Sequence, residues 1–260
     1  MEIARWLRTC EESVPDDAQR IYLGHESCID RMPSLKDMME TLQRLNDLDR
    51  HATLVTPFLT EKEMGAVCNR IESVAAAFGR CEVVCNDWGL LQWLTESDAA
   101  EPVVGRLLVG QATDPRLAAF DLAGRQLAHE RMVRHADGTA VSLRYRRPSD
   151  ALMTHLSSCA IETPAVLSFL KDLGVRRYEV SNLLQGLEIK PVRDWHVTLH
   201  LPEVPVAIAR HGWRDRGSKW LHASFPLALC HRDNMVFYCN HRLPENIQGL
   251  GIDRFVYPSR

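Results

Sequence analysis

The chain has 260 residues, of which 45% are apolar and 25% charged, with a net charge of -3 and a pI near 6.4. That length supports one large α/β domain over 1–260 with a full core, and the charge balance argues against a dedicated nucleic-acid binder. No apolar run is long enough to span a membrane, and Met1-Glu2-Ile3-Ala4-Arg5-Trp6 lacks the apolar core of a signal peptide, so a cytoplasmic protein with reduced thiols is expected.

In chain order, residues 2–13 read as a short helix and Arg20 to Gly24 as the first strand. Ser34 with Asp37 makes an N-terminal capping pattern, followed by the helical stripe Leu35, Met38, Leu42 and Leu45. Ala52 to Phe58 is the next strand. Thr60 and Glu63 form a second capping box ahead of Met64, Val67, Ile71, Val74 and Phe78, and Gly79 stops that helix. Cys81 to Cys85 is a third strand and ends in Asn86-Asp87. Asp87 stands at the N-cap of a short helix, Trp88 to Leu94, and Pro102 to Leu108 is a fourth strand.

The segment 117–150 is less regular. Leu117 to His135 is expected to be helical and Thr139 to Tyr145 a strand or hairpin arm. Arg144, Arg146 and Arg147 form a basic knot that reads as a solvated loop, with phosphate or RNA contact as the alternative. Regularity returns at Thr163-Pro164, an N-cap with proline at N1. Val166, Leu167, Leu170 and Leu173 then form a stripe that ends at Gly174. Val175 to Val180, Trp195 to Leu201, Val204 to Ala209, Met235 to Tyr238 and Phe255 to Tyr257 read as further strands. Strands separated by capped helices indicate parallel βα units. The expected fold is therefore α/β, a (β/α) barrel-like parallel sheet, closed or incomplete. No G-x-G-x-x-G follows the first strand, so a dinucleotide fold has no support.

In such a barrel the strand ends converge on one face. They carry His25, Glu26 and Cys28, then Thr56, Asn86 and Asp87, Arg106 and Gln111, Glu179 and Asn182, and Arg210 and His211. Acids and arginines together suit a polar or anionic small molecule. Glu26, Asn86, Asp87, Arg106, Glu179 and Arg210 are the candidate ligand-binding set. The alternative for any of them is helix capping or mutual pairing. Cys81 and Cys85 share a strand face and read as small buried hydrophobes. Cys230 and Cys239 lie in a tail that also holds His211, His222, His231 and His241, a set that could bind zinc although it lacks a C-x2-C pair. His196 and His200 share one strand face and read as core or rim histidines. No G-x-S-x-G, H-E-x-x-H or P-loop is present, which leaves a peptidase-type hydrolase as a secondary reading.

Several segments taken together resemble the collagenase-like U-32 peptidase family. They are Tyr22-Leu23-Gly24 with Cys28 and Arg31, Asn86-Asp87-Trp88-Gly89, Gly105-Arg106-Leu107-Leu108 with Gln111 and Asp114-Pro115-Arg116, Leu170 to Val175 with Tyr178-Glu179, and Leu199-His200-Leu201-Pro202 with Val204. The resemblance covers roughly 20–116 and 163–260. It implies a barrel-like fold. In the UbiU/UbiV-like branch, which acts as paired proteins in oxygen-independent ubiquinone hydroxylation, it implies a [4Fe–4S] cluster on four cysteines and a paralogous partner subunit. Carried over, Cys28 matches the first cluster cysteine, Gly212 falls at or beside the second, and Ser224 and Ala228 take the last two places with Cys230 nearby. The nearest ligand set is Cys28, Cys230, Cys239 and His211, so the resemblance points to a degenerate or absent cluster. It also implies that the family's opening strand is missing. The resulting expectation is a divergent member that acts as a small-molecule-binding or accessory subunit.

Overall fold

In the computed structural model, residues 1–119, 128–134, 137–146, 148–209 and 227–259 are described. Eight parallel strands close a barrel: β1 (Glu2–Trp6), β2 (Arg20–Gly24), β3 (His51–Val55), β4 (Cys81–Cys85), β5 (Ala100–Val104), β8 (Arg177–Ser181), β9 (His196–His200) and β13 (Ile252–Pro258). The order around the barrel is β1-β13-β9-β8-β5-β4-β3-β2. Helices α1 (Leu35–Asp47), α2 (Glu61–Phe78), α3 (Trp88–Ser97), α4 (Asp150–Ser157) and α5 (Pro164–Asp172) lie between strands in the chain.

Three of these helices begin where their capping residues put them. Ser34 accepts from the Asp37 amide, the Thr60–Glu63 capping box is complete, and Asp87 Oδ1 accepts from the amides of Gly89 and Leu90 at 2.8 and 3.1 Å. Their apolar stripes, such as Met38, Leu42 and Leu45 or Val67, Ile71 and Val74, pack on outward-facing strand residues including Ile21, Leu23, Leu54 and Val83. Burial of each such side chain contributes about 1.5–3 kcal/mol.

The barrel interior is a separate, smaller packing unit of Ala4, Tyr22, Val55, Val84, Val103 and Val256, with Trp6 above it. Below this layer the interior is charged. Arg254 forks onto Glu82 at 2.5 and 3.1 Å and reaches Glu2 at 2.5 Å. Arg20 holds the other Glu2 oxygen at 2.8 Å, and Thr53 donates to Glu82 at 2.7 Å. Burial would raise the Glu82 carboxyl, but the Arg254 charge outweighs it and leaves the pKa below the ordinary value.

Two expectations fail at the start of the chain. Residues 2–13 do not form a helix: Glu2–Trp6 is a strand, in register with β13 over five residues and with β2 over three. The opening strand expected to be missing is therefore present, and it closes the barrel. The misreading has a physical cause. Glu2 faces an interior that pairs charges, so the strand lacks the apolar–polar alternation of a half-buried sheet. The described parts of Leu117 to His135 do not form the expected helix either; residues 120–127 and 135 lie outside the described residues. Pro115–Ala119 is a short 3₁₀ turn, and β6 (Ala128–Arg134) pairs antiparallel with β7 (Ala140–Arg146), so a tertiary partner overrides local propensity. The strands expected near 204–209 and 235–238 are outside the barrel. They are β10 (Glu203–Ile208) and β12 (Met235–Cys239), which with β11 (Cys230–Arg232) form an antiparallel sheet in the order β10-β12-β11.

Candidate functional site

The small antiparallel sheet is anchored at the carboxyl ends of the barrel strands by asparagines. Asn234 accepts from the Ser27 hydroxyl at 2.7 Å and donates to the carbonyls of Ser27 and Ala209. Asn182 and Asn240 exchange side-chain-to-backbone hydrogen bonds at 3.0 Å in both directions. Between sheet and barrel lies a cavity of ≈ 220 Å³, walled by the ends of β1, β2, β9 and β13 and by residues of β10–β12. This is the end at which barrel enzymes place their sites.

The cavity wall is amphiphilic. Trp6, Leu7, Leu201, Met235 and Val256 supply apolar surface, and Trp6 is fixed by its indole N–H on the Gly24 carbonyl at 3.0 Å. Gly24 is required there: its φ is +115°, and an added Cβ would stand 2.2 Å from the Val55 carbonyl oxygen. The His200 ring lies edge-on to Trp6, with centroids 5.7 Å apart, and its Nε2 is 2.8 Å from Glu179 Oε2. Glu179 is almost fully buried and takes the Tyr22 hydroxyl on its other oxygen at 2.7 Å. His200 is thus a cavity-wall imidazole oriented by a buried carboxylate, an arrangement suited to proton transfer.

The charged lining is largely self-paired. Arg106 grips Glu26 with two bonds at 2.7 and 2.5 Å, both residues buried, and gives its third direction to the Glu203 carbonyl at 2.6 Å. Burial alone would raise Glu26, but the Arg106 charge and hydrogen bonds hold its pKa below the ordinary value. Arg232 pairs with Glu203, and Arg31 with Asp233 at 2.7 Å. His25 accepts the Ser27 and Cys28 amides on Nδ1, which leaves Nε2, 3.5 Å from Asp233, to carry its proton. Burial lowers the His25 pKa despite the nearby Glu26 and Asp233. Arg8, at the mouth, has no ion-pair partner among the described residues.

The candidate residues read from the sequence fall into distinct places. Glu26 and Arg106 line the cavity, but as a closed pair, so the Arg106 fork is already filled. Glu179 is one hydrogen bond behind the wall. Asn86 holds loops together, donating to the Thr56 carbonyl at 2.9 Å and accepting from the Leu107 amide at 3.2 Å. Asp87 caps α3. Arg210 and His211 lie outside the described residues. Sequence reading does not bring forward Trp6, Arg8, Glu203 or Arg232, and takes His200 as a core or rim histidine. Trp6 has no sequence signal, because its inward neighbours Glu2 and Ala4 mix charge with apolar surface on one strand face.

The cysteines do not fit a four-thiolate cluster. All eight are among the described residues, and no group of three or more His, Cys, Asp and Glu side chains is placed to hold a metal ion among those residues. Cys28 is buried in the loop after β2, while Cys230 and Cys239 are exposed on the antiparallel sheet. Cys85 and Cys159 are buried, and Cys81 is half-buried with its thiol pushed up to about 11 by burial. His196 sits at the opposite rim, 2.6 Å from Asp253.

No helix among the described residues is long and apolar enough to cross a membrane. No family model matches the sequence, and no curated protein matches it. A solved structure described as the U32 peptidase Mk0906 aligns over 100% of this chain and 94% of its own, with a TM-score of 0.49 and 10% identity.

Proposed function

We propose that this protein binds a small carboxylate-bearing molecule in the cavity between barrel and antiparallel sheet, with His200 exchanging a proton with it. The charge inventory of the cavity supports the reading. Among the described residues each acid in the wall has a basic partner and each arginine except Arg8 an acidic one, so a monoanion completes the balance. Apolar surface from Trp6, Leu7 and Met235 suits the rest of the molecule. The sequence resemblance agrees with a divergent U-32-like subunit of the small-molecule-binding or accessory kind, related to the oxygen-independent hydroxylation factors and with a degenerate or absent iron–sulfur site. Any paralogous partner would have to dock away from the sheet edge, because β1 fills it.

Calorimetry with a panel of small carboxylates and their neutral amides tests this. Carboxylates should bind, the matched amides at least tenfold more weakly, and Arg8→Ala should lose about tenfold, or ~1.4 kcal/mol. Titration in buffers of different ionisation enthalpy should show proton exchange that disappears in His200→Gln. Equal binding of carboxylates and amides would refute the reading.

A further inference from the structure

Cys230 and Cys239 are the two exposed cysteines of the chain; the other six are buried or half-buried. In the β11–β12 ladder Cys230 is opposite Phe237. Cys239 follows Phe237 by two residues and so projects from the same face, as the diagonal neighbour of Cys230. Each thiol lies within electrostatic reach of the other. Cys239 also stands opposite Glu203, whose carboxylate pairs with Arg232, and both of those residues line the cavity.

We propose that Cys230 and Cys239 are a redox-active dithiol that closes to a disulfide beside the cavity by exchange with a low-molecular-weight disulfide. One thiolate attacks a sulfur of the reagent, forming a mixed disulfide and expelling one reagent thiolate. The second protein thiol, as its thiolate, then attacks the protein sulfur and expels the other. Two thiols become one disulfide, and the reagent carries away two electrons and two protons as two thiols. Cys230 is the entering nucleophile, because it opens the short edge strand β11, whereas Cys239 is on the central strand of the sheet, opposite Glu203. The chain before Cys230, residues 227–229, is outside any strand. Diagonal strand neighbours stand about 7–8 Å apart, so closing the bond asks the end of this three-residue strand to shift by about 1–2 Å. In a reducing compartment such a bond is transient, a signal rather than a staple. It would tie together the two strands that carry Arg232 and Met235 into the cavity wall.

The test uses the reduced full-length protein and oxidised glutathione, followed by acid quenching, thiol blocking and peptide mapping without reduction. The expected product is a Cys230–Cys239 crosslink, with loss of two of the eight thiols and release of two glutathione thiols per chain. Its Tm should rise and return on adding dithiothreitol. Cys239→Ser should stop at a stable glutathione adduct on Cys230, and Cys230→Ser should react more slowly. A stable adduct on the wild-type chain without a crosslink, or a crosslink through Cys28, would overturn the proposal. So would oxidation seen only after unfolding.

Discussion

The Tyr22 hydroxyl and the Glu179 carboxylate, 157 residues apart in sequence, meet at 2.7 Å inside the barrel. The same hydroxyl accepts from Arg254 at 3.0 Å, and the same carboxylate holds His200. A continuous polar chain thus runs from the cavity wall to the charged layer at the opposite end. Tyr22→Phe keeps the ring but strands two buried partners, so it should cost about 1–3 kcal/mol, read as a lower urea midpoint at unchanged m. Glu179→Gln should move the His200 proton. The carboxylate accepts from Nε2, whereas an amide that still accepts from Tyr22 must present its NH₂ and force Nε2 to accept. Imidazole ¹⁵N shifts should report Nε2–H in the wild type and Nδ1–H in the variant. An unchanged tautomer would refute this account of the pair.

Alkaline stability follows from the same buried tyrosine. Burial, then the Glu179 charge, pushes Tyr22 well above its ordinary value of 10.0, and burial also raises Tyr178 and Tyr238. Below pH 10 both folded and unfolded chains keep these protons. Above it the unfolded chain releases them and the folded chain does not, so stability falls as pH rises. Tyrosinate absorbance from these three residues should appear together with loss of far-UV ellipticity. A smooth titration in the folded state would contradict it.

Acid acts through Glu26 and Glu82, whose carboxyls are held below the ordinary 4.5 by Arg106 and Arg254 against the opposing effect of burial. Their contribution is present above the unfolded pKa and is lost as pH falls through the folded one. Glu26→Gln leaves Arg106 buried and uncompensated, and should cost about 3–5 kcal/mol at pH 7. The gap from wild type should narrow as pH falls below the ordinary 4.5, where the unfolded carboxyl takes up a proton that the folded one resists. A gap that stays constant with pH would mean that the pair is not ionised.

The capped helices and apolar strands were legible because local chemistry decides them. Ser34, Thr60 and Asp87 satisfy amides within three residues of themselves, so their signals survive in the sequence. The site was half legible. Glu26 and Arg106 stand at strand ends, but that they satisfy each other is decided by a contact across 80 residues. Strand β1 was misread because its inward residues, Glu2, Ala4 and Trp6, meet Arg254, Val256 and Pro258 of the last strand, a pairing with no local trace. His200 reads only as a core or rim histidine for the same reason: its pairing depends on Glu179 from the neighbouring strand.

Gly105 explains part of the Gly105-Arg106 signal. An added Cβ would lie 2.2 Å from Asn86 Oδ1, the atom that accepts from the Leu107 amide. Gly105→Ala must expel the Asn86 amide from its buried place, freeing the Thr56 carbonyl and the Leu107 N–H. The expected cost is about 2–4 kcal/mol. In Gly65→Ala the new Cβ meets nothing within 4 Å in a helix interior, so it should gain up to ~1 kcal/mol. Chemical denaturation of the two variants compares them directly, and a neutral Gly105→Ala would show that Asn86 is not wedged.

Deleting residues 2–6 should be worse than any of these substitutions. Strand β1 pairs on both sides, and Glu2 is shared by Arg20 and Arg254. Without it β2 and β13 become open parallel edges, and the buried Arg254 and half-buried Arg20 lose a carboxylate. Trp6 also leaves the cavity, removing the ring that packs on His200. The truncated chain should be recovered mainly as aggregate, and any soluble fraction should elute as an oligomer through edge pairing. Glu2→Gln separates the two contributions: the strand remains and the barrel stays closed, so this variant should be a monomer destabilised by about 2–4 kcal/mol. Size-exclusion chromatography with light scattering on both variants decides the matter. A monomeric, cooperatively folding deletion variant would mean that β1 is dispensable and that the barrel is held by its remaining seven strands.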